Sequence, residues 1–147
     1  MDAGLVISDL HAPYHHPDSL EFLKALKRKY KFGWVVCIGD ELDNHAMSFH
    51  DSDPDLSAAG DELKKEHLPD GTIARNRGDG WRWRPHFTRN ICGKDVYFVH
   101  GMSVSTKRNV EMIGMNFVQG HHHGTFEIVN NGTPLELNWG MTVGCLI

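Results

Sequence analysis

Two short apolar runs near the N-terminus each end at an aspartate, and this pattern constrains the fold more than any other feature. Residues 4–8 and 34–38 are predicted strands, which stop at Asp9 and Asp40 respectively. Apolar residues at near-helical spacing between them, opened by Pro17, predict a helix. A strand, a helix and a strand in this order form a βαβ unit with neighbouring parallel strands. We therefore expect Asp9, His11 and Asp40 to lie together at the carboxyl edge of a sheet.

The remaining pattern continues as an α/β chain. After a polar loop over residues 41–54, we predict further elements in this order: a helix at 57–67, a very short strand at 72–75, a hairpin of strands 88–91 and 96–99, a helix at 106–113, a strand at 117–118, a second hairpin of strands 126–129 and 135–139, and a last strand at 141–147. The second hairpin is expected to turn at Asn131-Gly132. We find no internal repeat, and the 147 residues fit one domain spanning positions 1–147.

Bulk composition narrows the class of protein. Hydrophobic residues make up 40% and charged residues 23%, as in ordinary globular proteins. No apolar run reaches the roughly 20 residues of a membrane span, and no signal-peptide pattern begins the chain, so no membrane partner is expected. The three cysteines form no C-x-x-C pair, which favours reduced thiols and a cytoplasmic location. The net charge of −4 argues against binding nucleic acid through overall charge alone.

Two later strands also end in candidate metal ligands. The strand at 96–99 runs into His100, and the strand at 117–118 is followed by Gly120 and three histidines at positions 121–123. Carboxylate and imidazole groups suit divalent cations such as Mn, Fe or Zn. Ligands drawn from four strand ends suit a two-metal centre, in which two ions about 3.5–4 Å apart activate water and bind a phosphate.

In this order the motifs resemble those of the calcineurin-like metallophosphoesterase superfamily. The family pattern D-x-H, G-D-x-x-D, a histidine before glycine and G-H-x-H corresponds to these segments: Asp9-Leu10-His11, Gly39-Asp40-Glu41-Leu42-Asp43, His100-Gly101 and Gly120-His121-His122-His123. Each motif alone is weak, but four in the right order, each after a predicted strand, are specific. The resemblance implies an α/β/β/α sandwich, in full or reduced form, with mixed sheets and the C-terminal hairpin described above.

The resemblance also implies roles for single residues. Asp9, His11 and His123 would bind one metal ion, His100 and His121 the other, and Asp40 would bridge them. Asp43 would support the ligands from behind, although a simple loop cap is an equally good interpretation. A metal-bridging hydroxide would hydrolyse phosphomonoesters or phosphodiesters, with nucleotides or nucleic acid among the candidate substrates. Manganese is the first expectation for both ions, with iron, zinc, nickel and magnesium as alternatives. The resemblance does not fix the oligomeric state.

One family motif is missing from this sequence. No Asn-His pair follows the second motif, and the nearest substitute is Asn76 followed by Arg77. Asn76 would keep the metal ligand, while Arg77 would contact phosphate in place of the histidine. An arginine cannot serve as a general acid near neutral pH. The region after Asn76 and the C-terminal region are also short for the family. A degenerate homologue that binds metal with little or no turnover is therefore the main alternative.

A basic and aromatic segment offers a second alternative. Arginines interleave with tryptophans and a phenylalanine between positions 75 and 89, as follows: Arg75, Arg77, Trp81, Arg82, Trp83, Arg84, Phe87 and Arg89. Such a pattern could bind single-stranded nucleic acid, since bases stack on aromatic rings while arginines contact phosphates. The structural interpretation is an amphipathic hairpin whose aromatic side chains face the core and whose arginines face water.

Overall fold

The computed structural model describes residues 3–12, 14–41, 43 and 86–147. Within these ranges, seven strands and two helices follow one another along the chain. The strands are β1 Gly4–Ile7, β2 Trp34–Cys37, β3 Phe87–Ile91, β4 Lys94–Val99, β5 Asn116–Gln119, β6 Glu127–Gly132 and β7 Leu137–Thr142. The helices are α1 Ser19–Tyr30 and α2 Thr106–Ile113. The predicted helix at 57–67 and strand at 72–75 lie outside the described residues.

The N-terminal strands form the predicted βαβ unit. β1 and β2 are parallel and paired in register from Gly4 opposite Trp34 to Ile7 opposite Cys37. The connecting helix α1 begins at Ser19, two residues after Pro17, and ends where Lys31 adopts a left-handed conformation. Because the crossover makes both strands run in one direction, their carboxyl ends lie side by side and place Asp9 near Asp40.

The other strands form a mixed five-stranded sheet in the order β3-β4-β5-β7-β6. β4, β5 and β7 are parallel to one another, so their carboxyl ends share one edge. β3 and β6 pair antiparallel at the two edges of this sheet. His100 therefore follows β4 at the same edge where the 121–123 histidines follow β5.

The two sheets pack face to face around one apolar core. Its buried members come from both sheets and their ends: Ile38, Val96, Phe98, Val118 and Val143. On the opposite face of the larger sheet, α2 buries Val110 above Phe117, the neighbour of Val118 along β5. Two packed sheets with α2 on the outer face of the larger one agree with the predicted sandwich of mixed sheets in its reduced form. None of the described helices is long and apolar enough to cross a membrane.

Local capping explains why α2 begins and ends as predicted. The Ser105 side chain accepts a hydrogen bond from the Arg108 N–H, which satisfies a free donor of the first turn. Gly114 ends the helix with φ of 69°, a conformation that glycine adopts at little cost. Both signals are local, and the predicted bounds therefore agree with the observed ones.

The C-terminal hairpin differs from the prediction. Asn131 and Gly132 do not form the turn but belong to β6, where they pair with β7. The chain turns at residues 133–136 instead, because the Thr133 hydroxyl accepts hydrogen bonds from the N–H groups of Leu135 and Glu136. This side-chain bonding offers the backbone an alternative to the expected Asn-Gly turn.

The predicted last strand is also wrong in its bounds. Residues 141 and 142 are the end of β7 rather than the start of a separate strand. Beyond Val143, whose N–H still donates to the Gln119 carbonyl of β5, the chain leaves the sheet. The Leu146 N–H donates to the Asp9 carbonyl at 3.2 Å, and the His16 N–H donates to the Leu146 carbonyl at 2.8 Å. The C-terminal segment thus crosses the carboxyl end of β1 instead of extending the ladder.

Part of the basic and aromatic segment is described. Phe87 packs against the core, and the Arg89 guanidinium lies 4.8 Å from the centre of the Trp34 ring. Phe87 thus faces the core, as the amphipathic hairpin predicts. Arg89 was expected to face water, but it is partly buried on the same face of β3 and lies over Trp34. The other members of that segment, at positions 75–84, lie outside the described residues.

Candidate metal centre

Asp9 is the most buried residue of the candidate site. Only 1% of it is exposed, although it follows β1 at the edge of the sheet. Its carboxylate accepts hydrogen bonds from the Ser8 hydroxyl and from the His121 N–H, the latter at 2.9 Å to Oδ2 and 3.1 Å to Oδ1. These donors compensate for the loss of solvation. Asp9 is thereby fixed in one orientation.

One group of potential ligands surrounds Asp9 Oδ1. The Nε2 atom of His123 lies 3.2 Å from Asp9 Oδ1, and the Nε2 atom of His11 lies 3.9 Å from it. The two Nε2 atoms are 3.2 Å apart. Since all three atoms lie within 4.8 Å of one another, Asp9, His11 and His123 could bind one cation.

A second group combines Asp9 with Asp40, His100 and His121. The Nε2 atom of His100 lies 3.1 Å from Asp40 Oδ2 and 3.1 Å from the Nδ1 atom of His121. The four ligand atoms, one from each side chain, lie within 4.8 Å of one another. Two carboxylates and two imidazoles are a suitable set for Mn, Fe or Zn.

Polar groups behind two histidines decide which ring nitrogen faces the site. The Nδ1 atom of His100 lies 3.0 Å from the Ile38 carbonyl, which can only accept, so Nδ1 carries the proton. In the neutral ring, Nε2 then keeps its lone pair on the side of Asp40. His11 is arranged alike, with Nδ1 at 3.5 Å from Asp43 Oδ1 and Nε2 facing the site. Orientation by an outer carbonyl or carboxylate is typical of metal-binding histidines.

The environment of His121 favours the neutral imidazole. Desolvation by burial lowers the pKa of His121 below its usual 6.5, and the neighbouring His100 and His122 lower it further. Only a neutral imidazole can donate a lone pair to a cation. The electrostatics therefore keep His121 in the form that a metal ion requires.

The backbone is strained at the candidate ligands. Four of them have φ in the left-handed region: Asp9 at 53°, His11 at 48°, Asp40 at 50° and His121 at 68°. Such conformations cost about 1–3 kcal/mol each and persist only where the surroundings enforce them. Cross-strand hydrogen bonds supply that enforcement, as the Asp9 N–H donates to the Gly39 carbonyl at 3.0 Å and the His11 N–H to the Asp40 carbonyl at 2.9 Å.

The glycines of the motifs permit close approach of the ligand side chains. A Cβ atom at Gly39 would lie 2.6 Å from the Nδ1 atom of His100, and one at Gly101 would lie 2.6 Å from the Cβ atom of His121. At Gly120 it would lie 1.9 Å from the Ser8 hydroxyl oxygen and 2.6 Å from Asp9 Oδ2. Any side chain at these positions would displace a candidate ligand or its support.

The donor chemistry fits divalent cations. Imidazole nitrogens from separate strand ends point at one another across 3.1 and 3.2 Å, and two carboxylates lie among them. Imidazole nitrogens and carboxylate oxygens are donor atoms that Mn, Fe and Zn take in proteins. We therefore conclude that these residues could hold metal ions.

The structure brings six of the predicted ligands together and leaves one outside the described residues. Asp9, Asp40 and the four histidines 11, 100, 121 and 123 converge on one edge. Asp40 was expected to bridge the two ions, but the residue common to both groups is Asp9. The Oδ2 atom of Asp40 nevertheless lies 3.7 Å from His11 Nε2 and 3.1 Å from His100 Nε2. Asn76 and Arg77 lie outside the described residues and stay predictions.

Sequence reasoning missed the residues that hold Asp9. Ser8 and the N–H of His121 bind its carboxylate, but neither is a metal ligand in these contacts. The glycine directly before His121 was a usable signal, since a glycine beside a ligand often marks a close approach. Which groups approach there depends on the packing of β1 against β5.

Comparisons with known proteins agree with this geometry at the level of the fold. No family model matches the sequence, and no curated protein matches it. Among solved structures, Vacuolar Protein Sorting 29 from Cryptosporidium parvum is similar, with a TM-score of 0.51 and 17% identity, covering 98% of this chain and 74% of that one. A conserved uncharacterized protein from Streptococcus pneumoniae, a predicted phosphoesterase, has a TM-score of 0.47 and 16% identity, covering 97% of this chain and 71% of that one.

At these identities the similarity establishes the fold alone. The chain shares the fold of Vacuolar Protein Sorting 29 from Cryptosporidium parvum, and this fold agrees with the mixed α/β sandwich that the motifs predict.

Proposed function

We propose that this chain is a divalent-metal-dependent phosphoesterase of the calcineurin-like metallophosphoesterase superfamily. One observation carries the proposal: two groups of carboxylate and imidazole ligands overlap at Asp9, so that two cations could bind side by side. Neighbouring sites of this kind suit phosphoryl transfer, because both the attacking and the leaving oxygen then face positive charge.

The two candidate sites divide the ligands between them. In the first, His11 and His123 would complete the coordination begun by Asp9 Oδ1. In the second, His100 and His121 would bind together with Asp40. Its Oδ2 atom lies within 3.7 Å of a histidine from each group, which supports the role of Asp40 as the bridge. Divalent cations in such a pair lower the pKa of water and stabilise negative charge on phosphoryl oxygens.

The exposure of the ligands supports access from one side. The side chains of Asp40 and His123 are each 39% exposed and that of His100 is 34% exposed, whereas that of Asp9 is 1% exposed. Asp9 would thus anchor the cations from below, and a phosphate group would approach along the exposed side chains. Substrate groups beyond the phosphate would then extend into solvent.

The substrate class follows from this chemistry only in outline. A pair of divalent cations suits both phosphomonoesters and phosphodiesters, including nucleotides and nucleic acid. Manganese is the first choice for both ions because the ligands are oxygen and imidazole without thiolate. Contact of Arg77 with the phosphate, and of Asn76 with a cation, are parts of the same proposal.

Hydrolysis of generic substrates tests the proposal. Protein stripped of metal would be supplied with Mn²⁺ and assayed with an aryl phosphodiester and an aryl phosphomonoester. Asp40→Asn should reduce turnover by roughly 100-fold or more, because it removes a charged ligand while keeping the side-chain shape. Asp18→Asn makes the same change at a carboxylate that is 88% exposed, and should leave turnover unchanged.

Two results would overturn the enzymatic proposal. Turnover that survives Asp40→Asn would place the activity elsewhere or in a contaminant. Stoichiometric metal binding without turnover on either substrate would instead support the metal-binding homologue that the missing Asn-His motif suggests. The ratio of diester to monoester rates would identify the substrate class.

A further inference from the structure

A second polar cluster lies under α2, separate from the candidate ligands. Four side chains that are 0% exposed form it, and we call them the α2 network: Thr106, Asn109, Gln119 and Thr142. Two belong to the helix and two are the last residues of β5 and β7. Buried polar side chains are costly unless they are hydrogen-bonded, and these four are joined to one another by hydrogen bonds. Such a network fixes the relative positions of the groups that it joins.

The network converges on one backbone carbonyl. Ser103 O accepts hydrogen bonds from Asn109 Nδ2 at 2.7 Å and from Gln119 Nε2 at 3.3 Å. Asn109 Nδ2 also donates to Gln119 Oε1 at 2.9 Å, which joins the two amides directly. Ser103 lies in the loop between His100 and α2, so both amides hold this loop.

The same network is anchored in the sheet. Gln119 Nε2 donates to the Thr142 hydroxyl at 3.0 Å, and that hydroxyl lies 2.6 Å from the hydroxyl of Thr106. The adjacent backbone bond, from the Val143 N–H to the Gln119 carbonyl at 2.9 Å, ties the ends of β5 and β7 together. The loop is thus fixed against two strand ends rather than against the helix alone.

These connections lead to two candidate ligands. Gln119 is two residues before His121, and Ser103 is three residues after His100. The two histidines are joined by the contact of 3.1 Å between their rings, and the Gly120 N–H donates to the His100 carbonyl at 2.7 Å. A shift of the Ser103 loop relative to Gln119 would therefore change the separation of the two rings.

We propose that Asn109 and Gln119 are positioning residues that set the distance and orientation between His100 and His121. Their described side-chain hydrogen bonds end on Ser103 O, on each other and on Thr142, and they act on the ligands through Ser103 O. Hydrogen bonds are directional, so the amides can specify one loop position where apolar contacts would permit several. This inference deepens the proposed function, and it rests on that function in so far as the two histidines bind metal. The arrangement of the two rings can nevertheless be measured without metal.

The histidine rings of the metal-free protein provide the test. Ring ¹⁵N resonances of His100 and His121 would be recorded by NMR for the wild type, Asn109→Leu and Gln119→Met. Both substitutions conserve approximate volume and remove the bonds to Ser103 O. We expect the two rings to change their ¹⁵N shifts and the tautomer balance of His121.

A buried asparagine at the opposite end of α2 gives the matched control. Asn138 is 6% exposed and its Nδ2 atom donates to the Gly114 carbonyl at 3.1 Å, so Asn138→Leu also removes a buried helix-to-sheet bond. It should lower thermal stability while leaving the His100 and His121 resonances unchanged. A purely structural role for Asn109 would make the two variants behave alike.

Metal affinity gives the second readout. Co²⁺ titration followed by absorption should show roughly tenfold weaker binding for Asn109→Leu, comparable to loss of an outer-sphere partner, and wild-type binding for Asn138→Leu. If Asn109→Leu fails to fold, Thr142→Val, which removes the hydroxyl that Gln119 and Thr106 share, serves in its place. Unchanged ring resonances in a folded variant, or equal changes in the control, would overturn the inference. A wild type that binds no Co²⁺ would contradict the proposed function and leave the ring measurement decisive.

Discussion

Replacing Gly120 with alanine is the sharpest perturbation that the structure offers. Gly120 is buried and has no left-handed φ, so its backbone would accept a side chain. Where the new methyl group has room, Gly→Ala at a position without a left-handed φ stabilises a protein by about 0.4–1 kcal/mol, because it lowers the conformational entropy of the unfolded chain. Here the new Cβ atom would lie 1.9 Å from the Ser8 hydroxyl oxygen and 2.6 Å from Asp9 Oδ2. The entropic gain and the steric clash therefore change the free energy of unfolding in opposite directions.

The expected cost follows from what must move. Ser8 and Asp9 are 2% and 1% exposed, so neither can rotate into solvent. Overpacking at a buried position costs about 1–3 kcal/mol. Loss of the hydrogen bond from the Ser8 hydroxyl to a charged carboxylate adds about 1.5–3 kcal/mol. After the entropic gain is subtracted, we expect a net loss of about 1.5–5.5 kcal/mol, which corresponds to a decrease in Tm of roughly 5–20 °C for a chain of this size.

Thermal unfolding of the metal-free protein and Mn²⁺ titration measure the two consequences. Gly120→Ala should melt lower and bind Mn²⁺ at least tenfold more weakly, since Asp9 contributes to both ligand groups. Gly124→Ala is the matched control in the same loop, because no described atom lies within 4 Å of its Cβ position. Its Tm should equal or slightly exceed that of the wild type. A Gly120→Ala protein with unchanged Tm and affinity would refute the packing of Asp9 against β5.

Three further predictions concern a supporting carboxylate, a thiol and metal removal. Asp43→Asn should weaken Mn²⁺ binding by roughly 10–100-fold in a chelator competition, because Asp43 Oδ1 lies 3.5 Å from His11 Nδ1, on the side of the ring away from the site. An affinity equal to that of the wild type would show that Asp43 does not support His11. Burial raises the pKa of Cys37 from 9.0 to about 12, so the thiol ionises at lower pH in the unfolded chain than in the folded protein. The free energy of unfolding should therefore fall as pH rises from 9 towards 12. Urea titrations would show this fall reduced in Cys37→Ala, and a thiol reagent at pH 8 should modify the exposed Cys92 well before Cys37. Chelation with EDTA should leave the far-ultraviolet circular dichroism unchanged, since cross-strand bonds rather than metal ions hold the ligand loops; unfolding on chelation would contradict this.

Much of the site was predictable because its ligands follow regular elements. An apolar run that ends in Asp9 and another that ends in Asp40 are local patterns, and a helical crossover places their ends side by side whatever the rest of the chain does. The same reasoning placed His100 and His121 at the ends of two strands that prove to be parallel. α2 was predictable for a similar reason, since Ser105 and Gly114 mark its ends locally.

Local signals failed where two of them competed. Asn131-Gly132 is a strong turn signal, yet both residues are paired in β6. The hydroxyl of Thr133 supports a turn two residues later, and the longer ladder with β7 gains further hydrogen bonds. Which turn prevails depends on how far the partner strand extends, and the sequence around the turn does not contain that information.

The sequence by itself determined which residues could bind metal and which end of the fold they would occupy, because strand order and side-chain chemistry are encoded locally. Only the tertiary structure decided how Asp9 is held and how the two ligand groups overlap. The Ser8 hydroxyl, the His121 N–H and the approach at Gly120 come from separate strands, and they meet only when the two sheets pack. Contacts between distant strands depend on differences of a few tenths of an ångström in how the strands pack, and no local pattern specifies these differences.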